Sequence, residues 1–136
     1  MKNEVQRIAL AVALGVAFAM PSSAHHSTAA EFDQNKPITF IGTVEKVMSM
    51  NPHIYTHIAV KPPDGPAVTY RVEGGSPNTL FRQGWRKDSL KAGESVTVNG
   101  WRAKNPESLN IGQATITTAA GRKVFSGQGP ASEGAQ

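Results

Sequence analysis

The order in which strand and helix signals follow one another constrains this chain more than any other feature. Residues 38–47 (ITFIGTVEKV) read as a first strand, with Gly42 expected to make a bulge or bend. After a loop over 48–52, residues 53–61 (HIYTHIAVK) form a second strand, and Pro62-Pro63-Asp64-Gly65-Pro66 is a turn with Asp-Gly at its centre. Residues 67–73 then alternate, with Val68, Tyr70 and Val72 on one face and Thr69, Arg71 and Glu73 on the other, as a half-buried third strand does. The one good helix signal follows: Ser76 suits the N-cap, Pro77 the first helical position and Gly84 the left-handed stop. A turn over 90–94 leads to a fourth strand at 95–103, a polar loop at 104–111, a fifth strand at about 112–118 and a short return at 123–125. The expected fold is therefore all-β with one short helix, in the order β-β-β-α-β-β. That is the element order of a small OB-like five-stranded barrel, an open sandwich being the alternative. Large apolar residues are sparse, and closing the sheet on itself explains how few suffice, because no long edge stays open.

Ahead of this domain, Lys2 and Arg7 precede an uncharged apolar run at 8–20, and Pro21-Ser22-Ser23-Ala24 supplies small residues at the −3 and −1 positions. This is the three-part layout of a secretory signal cleaved after Ala24. As a helix the apolar run spans roughly 20 Å, short of a hydrocarbon core of about 30 Å. Residues 1–24 are accordingly expected to be a cleavable signal, 25–37 a polar arm, 38–125 the OB-like domain and 126–136 a disordered tail. No stable membrane span is expected after removal of the signal. The expected location is the bacterial periplasm or the exterior.

Without the leader the net charge falls from +4 to about +3, ordinary for solubility. Basic residues are scattered, apart from Arg86-Lys87 and Arg122-Lys123, and give no nucleic-acid footprint. The chain contains no cysteine, which removes disulfides, thiolate metal sites and thiol nucleophiles. Any metal must use imidazole, thioether, carboxylate or the terminal amine.

Cleavage after Ala24 makes His25 the first residue, so that its amine and ring nitrogen can chelate one ion together. The unperturbed amine pKa of roughly 7.7–8.0 makes its deprotonation by a metal inexpensive near neutral pH. Cleavage one residue earlier gives Ala-His-His, whose third-position histidine is also a well-placed cupric ligand. All four histidines, His25, His26, His53 and His57, lie in the first half of the mature chain, and His53, Tyr55 and His57 share one strand face. Met48 and Met50 add two thioethers beside His53, soft donors that favour cuprous copper. Both registers point to copper rather than zinc, with His25 and His53 as principal ligands, His26 or His57 completing the set, and Met48 or Met50 assisting. Against this stand plainer roles: the double histidine as a hydrophilic start to an arm, His57 as a solvated residue, the methionines as rim packing, and Asn51-Pro52-His53 as a structural turn.

Catalysis is not expected. Glu31, Asp33, Glu45, Glu73 and Asp88 show no pairing that would make an acid and a base, Ser76 has its capping role, and no phosphate-cradling loop is present. A copper oxidase with a histidine-brace centre is the third reading, disfavoured by the small surface available. The second is a binding module without metal, in which Tyr55, Arg71 and Trp101 hold an envelope polymer or another envelope protein. Trp85 or Trp101 is expected to fill core.

The strings HHSTAAEFD, GTVEKV leading into NPHIY, VEGGSPNTLFRQGW, DSLKAGESVTVNGWRAK and GRKVF resemble a family of small exported bacterial proteins catalogued as a domain of unknown function. The resemblance runs from about His25 to Phe125 and implies a periplasmic or secreted single domain, with no established activity. Its pattern is matched by His25, His26, Asn51, Pro52, His53, Gly75, Ser76, Pro77, Gly84 and Trp85. Met48, Met50 and His57 are not typical of it. The expected architecture is also similar to small periplasmic OB-fold copper carriers with His, Met and Trp ligands, a similarity of fold and ligand chemistry only.

Overall fold

The computed structural model describes residues 28–126. The signal at 1–24 with its cleavage site at Ala24, the histidines His25 and His26, and the tail from 127 onward lie outside the described residues. The elements are α1 (Thr28–Glu31), β1 (Phe32–Ser49), β2 (Ile54–Val60), β3 (Val68–Glu73), α2 (Pro77–Arg82), β4 (Ser95–Ala103), β5 (Asn110–Thr118) and β6 (Lys123–Ser126).

Five strands close into a ring. β1 pairs antiparallel with β2 through its second half and with β4 through its first, because the strand turns the corner near Thr43, which faces both Ala59 and Ser95. β2 pairs with β3, β4 pairs with β5, and a short parallel contact of Arg71 with Asn110 and Val72 with Ile111 joins β3 to β5. β6 adds at the edge of β5. The chain is thus all-β with α2 as its one helix longer than a single turn, as the order of signals indicates. No helix among the described residues is long and apolar enough to cross a membrane.

The ring encloses Val44, Ile54, Ile58, Val72, Val96, Val98, Ile111 and Ile116, all nearly inaccessible to solvent, and Leu80, Trp85 and Leu90 close one end. Each such aliphatic side chain contributes about 1.5–3 kcal/mol on burial. α2 forms as its sequence dictates: the Ser76 hydroxyl accepts from Thr79 N at 3.3 Å, and Gly84 takes φ +92°. Trp85 N then donates to Leu80 O at 2.9 Å, which turns the Trp85 ring inward, 3% exposed.

Two expectations are corrected. Of the bulge or bend expected at Gly42, the bulge falls elsewhere: Gly42 stays in register with Val96 and the register shifts between Val44 and Lys46, while the strand turns its corner beside Gly42, near Thr43. Gly42 is needed for close approach, since a Cβ there would lie 2.5 Å from Ile58 Cγ2 and 2.7 Å from Ala59 O. Nor do residues 28–37, the described part of the expected polar arm, stand apart from the domain. β1 begins at Phe32, whose ring is buried against the bare backbone of Gly112; a Cβ on Gly112 would fall 2.2 Å from it. α1 is fastened beside it by Lys104 N donating to Glu31 O at 2.9 Å and by Asn110 Nδ2 donating to Glu31 Oε1 at 3.1 Å.

Candidate functional site

The β2–β3 hairpin sets the register of the outward side chains. Met48, Tyr55 and Glu73 are cross-strand neighbours on β1, β2 and β3, and Lys46, His57 and Arg71 form the next row. His53 sits just before β2, at the end of the loop from β1, where Met50 N donates to His53 O at 3.2 Å. The Asn51-Pro52 peptide in this loop is cis.

His53 is the best-positioned of the expected residues. Its Nδ1 lies 3.2 Å from Gly74 O and 3.3 Å from Glu73 Oε1. A carbonyl oxygen can only accept, so Nδ1 carries the proton and Nε2 of the neutral ring is left as a lone-pair donor. The side chain is one-third exposed while that of Glu73 is 14% exposed, so the carboxylate backs the ring from the protein side.

Around this pair the chain gathers Tyr55, Arg71, Glu31 and Asn110. The Arg71 guanidinium lies 4.6 Å above the Tyr55 ring centroid, a cation–π contact. Burial raises the Glu73 carboxyl above the usual range; His53 opposes this, Glu31 adds to it by repulsion and Arg71 opposes it. Tyr55 is likewise raised, by burial first and then by Glu73, with Arg71 acting against them. Glu73, Glu31 and the Gly74 carbonyl were not singled out by spacing. The signal for Glu73 lay in the hairpin: residues equidistant from Asp64 face one another, which pairs Tyr55 with Glu73 and His57 with Arg71.

The structure does not unite every candidate ligand. His57 is four residues beyond His53, about 13 Å along an extended strand, and it faces Lys46 and Arg71 instead. It therefore cannot share an ion with His53. Burial lowers its pKa, and Lys46 and Arg71 lower it further against a weaker pull from Glu45. Met48 is half-buried beside Tyr55, and Met50 is exposed at the loop next to His53. Trp101 faces Pro37 and Gly112 on β4, separated by β5 from the Tyr55–Arg71 pair, so the three do not make one platform. Among the described residues, no three histidine, aspartate or glutamate side chains converge as a metal site. A complete ligand set thus requires donors from outside them or thioethers.

The chain matches no curated protein and no solved structure. A family model covers residues 13–112, a span that includes β1 to β4, α2 and every residue of the His53 cluster. The chain belongs to this family, a family of unknown function (DUF6152).

Proposed function

We propose that this is an exported copper-binding protein of the bacterial envelope, in which His53 and the chain end created at His25 share one ion. The observation that carries the reading is the hydrogen bond from His53 Nδ1 to Gly74 O. Metal-ligating histidines donate their other ring N–H to a carbonyl or carboxylate, which fixes the tautomer and aims the lone pair. His53 has both kinds of partner, the second being Glu73.

A second observation supports the contribution of the N-terminal segment. Phe32 and Glu31 are tied down next to the cluster, and Glu31 already acts on Glu73 electrostatically. His25 lies only six positions before Glu31, a reach of at most about 20 Å. The amine and ring of His25 with Nε2 of His53 give three nitrogen donors, suited to cupric copper; Met50, beside His53, offers a thioether for the cuprous state. A mostly closed set of this kind suits holding and delivery rather than turnover, since a catalyst keeps a ligand position open.

The test uses the precursor, exported so that the leader is processed, with the mature N-terminus fixed by intact mass before copper is titrated. One equivalent should bind, and His25→Ala and His53→Ala should each weaken it by more than the roughly 10–100-fold that loss of an outer-shell partner costs. A mature chain that begins downstream of His26, or affinity unchanged in His53→Ala, overturns the reading.

A further inference from the structure

The row next to the His53 cluster carries a different chemistry. Lys46, His57 and Arg71 stand directly opposite one another on β1, β2 and β3, so Lys46 and Arg71 are roughly 10 Å apart at the backbone with His57 between them. Both end groups are exposed, and among the described residues neither is ion-paired. Lys46 and Arg71 thus flank His57 rather than each other, and the row presents two separated cations on either side of an imidazole. The Arg71 guanidinium carbon lies 4.6 Å from the Tyr55 ring centroid, a contact that restrains the fork of N–H donors.

Burial and its two basic neighbours favour the uncharged form of His57, and in either protonation state the ring carries an N–H donor between the two charges. Acidic groups flank the row, at Lys46 and along the neighbouring row of Tyr55 and Glu73. Glu45 adjoins Lys46 at the bulge and acts on His57, while Glu73 and Glu31 lie on the far side of Tyr55 and act on it. An extended polyanion or an anionic membrane surface would meet these flanking carboxylates. A compact anion would meet two cations and one donor.

From this arrangement we propose that the outer face of β1–β2–β3 binds one small dianionic oxyanion of the phosphate or phosphate-monoester class, held between Lys46 and Arg71 with His57 donating at the centre. The site is independent of copper. It would be tested on the mature exported protein by titrating inorganic phosphate at constant ionic strength and following the side-chain nitrogen resonances of His57 and Arg71. The expected result is saturable shifts confined to this row. Arg71→Gln and Lys46→Gln should each weaken binding roughly tenfold or more, as expected for hydrogen bonds to charged groups. His53→Ala should leave it intact, which separates the site from the metal reading. Far-ultraviolet circular dichroism of each variant shows that the fold survives. Shifts that rise linearly with phosphate, or that persist in Arg71→Gln, overturn the proposal. Binding to phosphatidylglycerol vesicles without binding to free phosphate overturns it as well.

Discussion

Fastening of the N-terminal segment by Phe32 can be tested by a double-mutant cycle with Gly112. The Phe32 ring is 2% exposed and occupies the space where a Gly112 Cβ would stand, 2.2–2.5 Å from three ring carbons. Gly112→Ala alone should force the ring off its seat, an overpacking cost of about 1–3 kcal/mol. Phe32→Ala alone removes a buried aromatic ring and leaves a cavity, at about 3–5 kcal/mol. If the two effects were independent, the double variant would lose about 4–8 kcal/mol. The geometry says otherwise, because once the ring is gone the new methyl enters the cavity it left. The double variant should be no less stable than Phe32→Ala, a coupling of at least about 1 kcal/mol. Urea unfolding followed by the fluorescence of buried Trp85 gives all four corners of the cycle. Additivity within roughly 0.5 kcal/mol would refute the packing of Phe32 on Gly112, and with it the anchoring of the segment that leads to His25.

Thr56 is fully buried between the inward-facing Ile54 and Ile58, and its hydroxyl has no hydrogen-bond partner among the described residues. Thr56→Val removes an unsatisfied polar atom, so it should stabilise by about 1 kcal/mol and raise the melting midpoint by several degrees; a lowered midpoint would mean that the hydroxyl is satisfied. His57 titrates below its usual 6.5 in the folded state because of burial and its cationic neighbours, so the unfolded chain takes up the proton first as pH falls. Stability from this group is present above about pH 6.5 and lost on acidification, and His57→Gln should flatten the fall in urea midpoint between about pH 7.5 and 5.5. An equal slope in variant and parent would remove His57 as the cause. Ser76→Ala deletes the α2 cap and should cost about 0.5–2 kcal/mol in urea unfolding, whereas an unchanged midpoint would show that the hydroxyl does not carry the cap.

Much of the fold could be read from local pattern because the hairpins are punctuated by strong turn chemistry. β4 coincides with its expected span, and the Asp64-Gly65 turn centres a hairpin whose register follows by counting. α2 carries its cap, its proline and its terminal glycine within nine residues of sequence. What escaped was non-local. Phe32 stands alone among polar residues, so no periodicity marks it as core, and its partner Gly112 is on the last strand of the ring. The bulge fell after Val44 rather than at Gly42, since a missing side chain signals either a bulge or a close approach and sequence does not distinguish them. In the site, His53, Tyr55 and Arg71 could be named from the sequence, but the contact of Arg71 with Tyr55 could not. Nor could the backing of His53 by the Gly74 carbonyl, because it depends on how the chain leaves β3 toward α2. The rows Met48–Tyr55–Glu73 and Lys46–His57–Arg71 likewise required the register of three strands at once.

Long-range proton–nitrogen correlation on the His53 ring of the mature protein, before and after one equivalent of cuprous copper, tests the metal account most directly. The neutral ring should be protonated at Nδ1 in the free protein, and copper should shift Nε2 while Nδ1 keeps its proton against Gly74 O. A ring protonated at Nε2, or one whose Nε2 signal is untouched by copper, would contradict it.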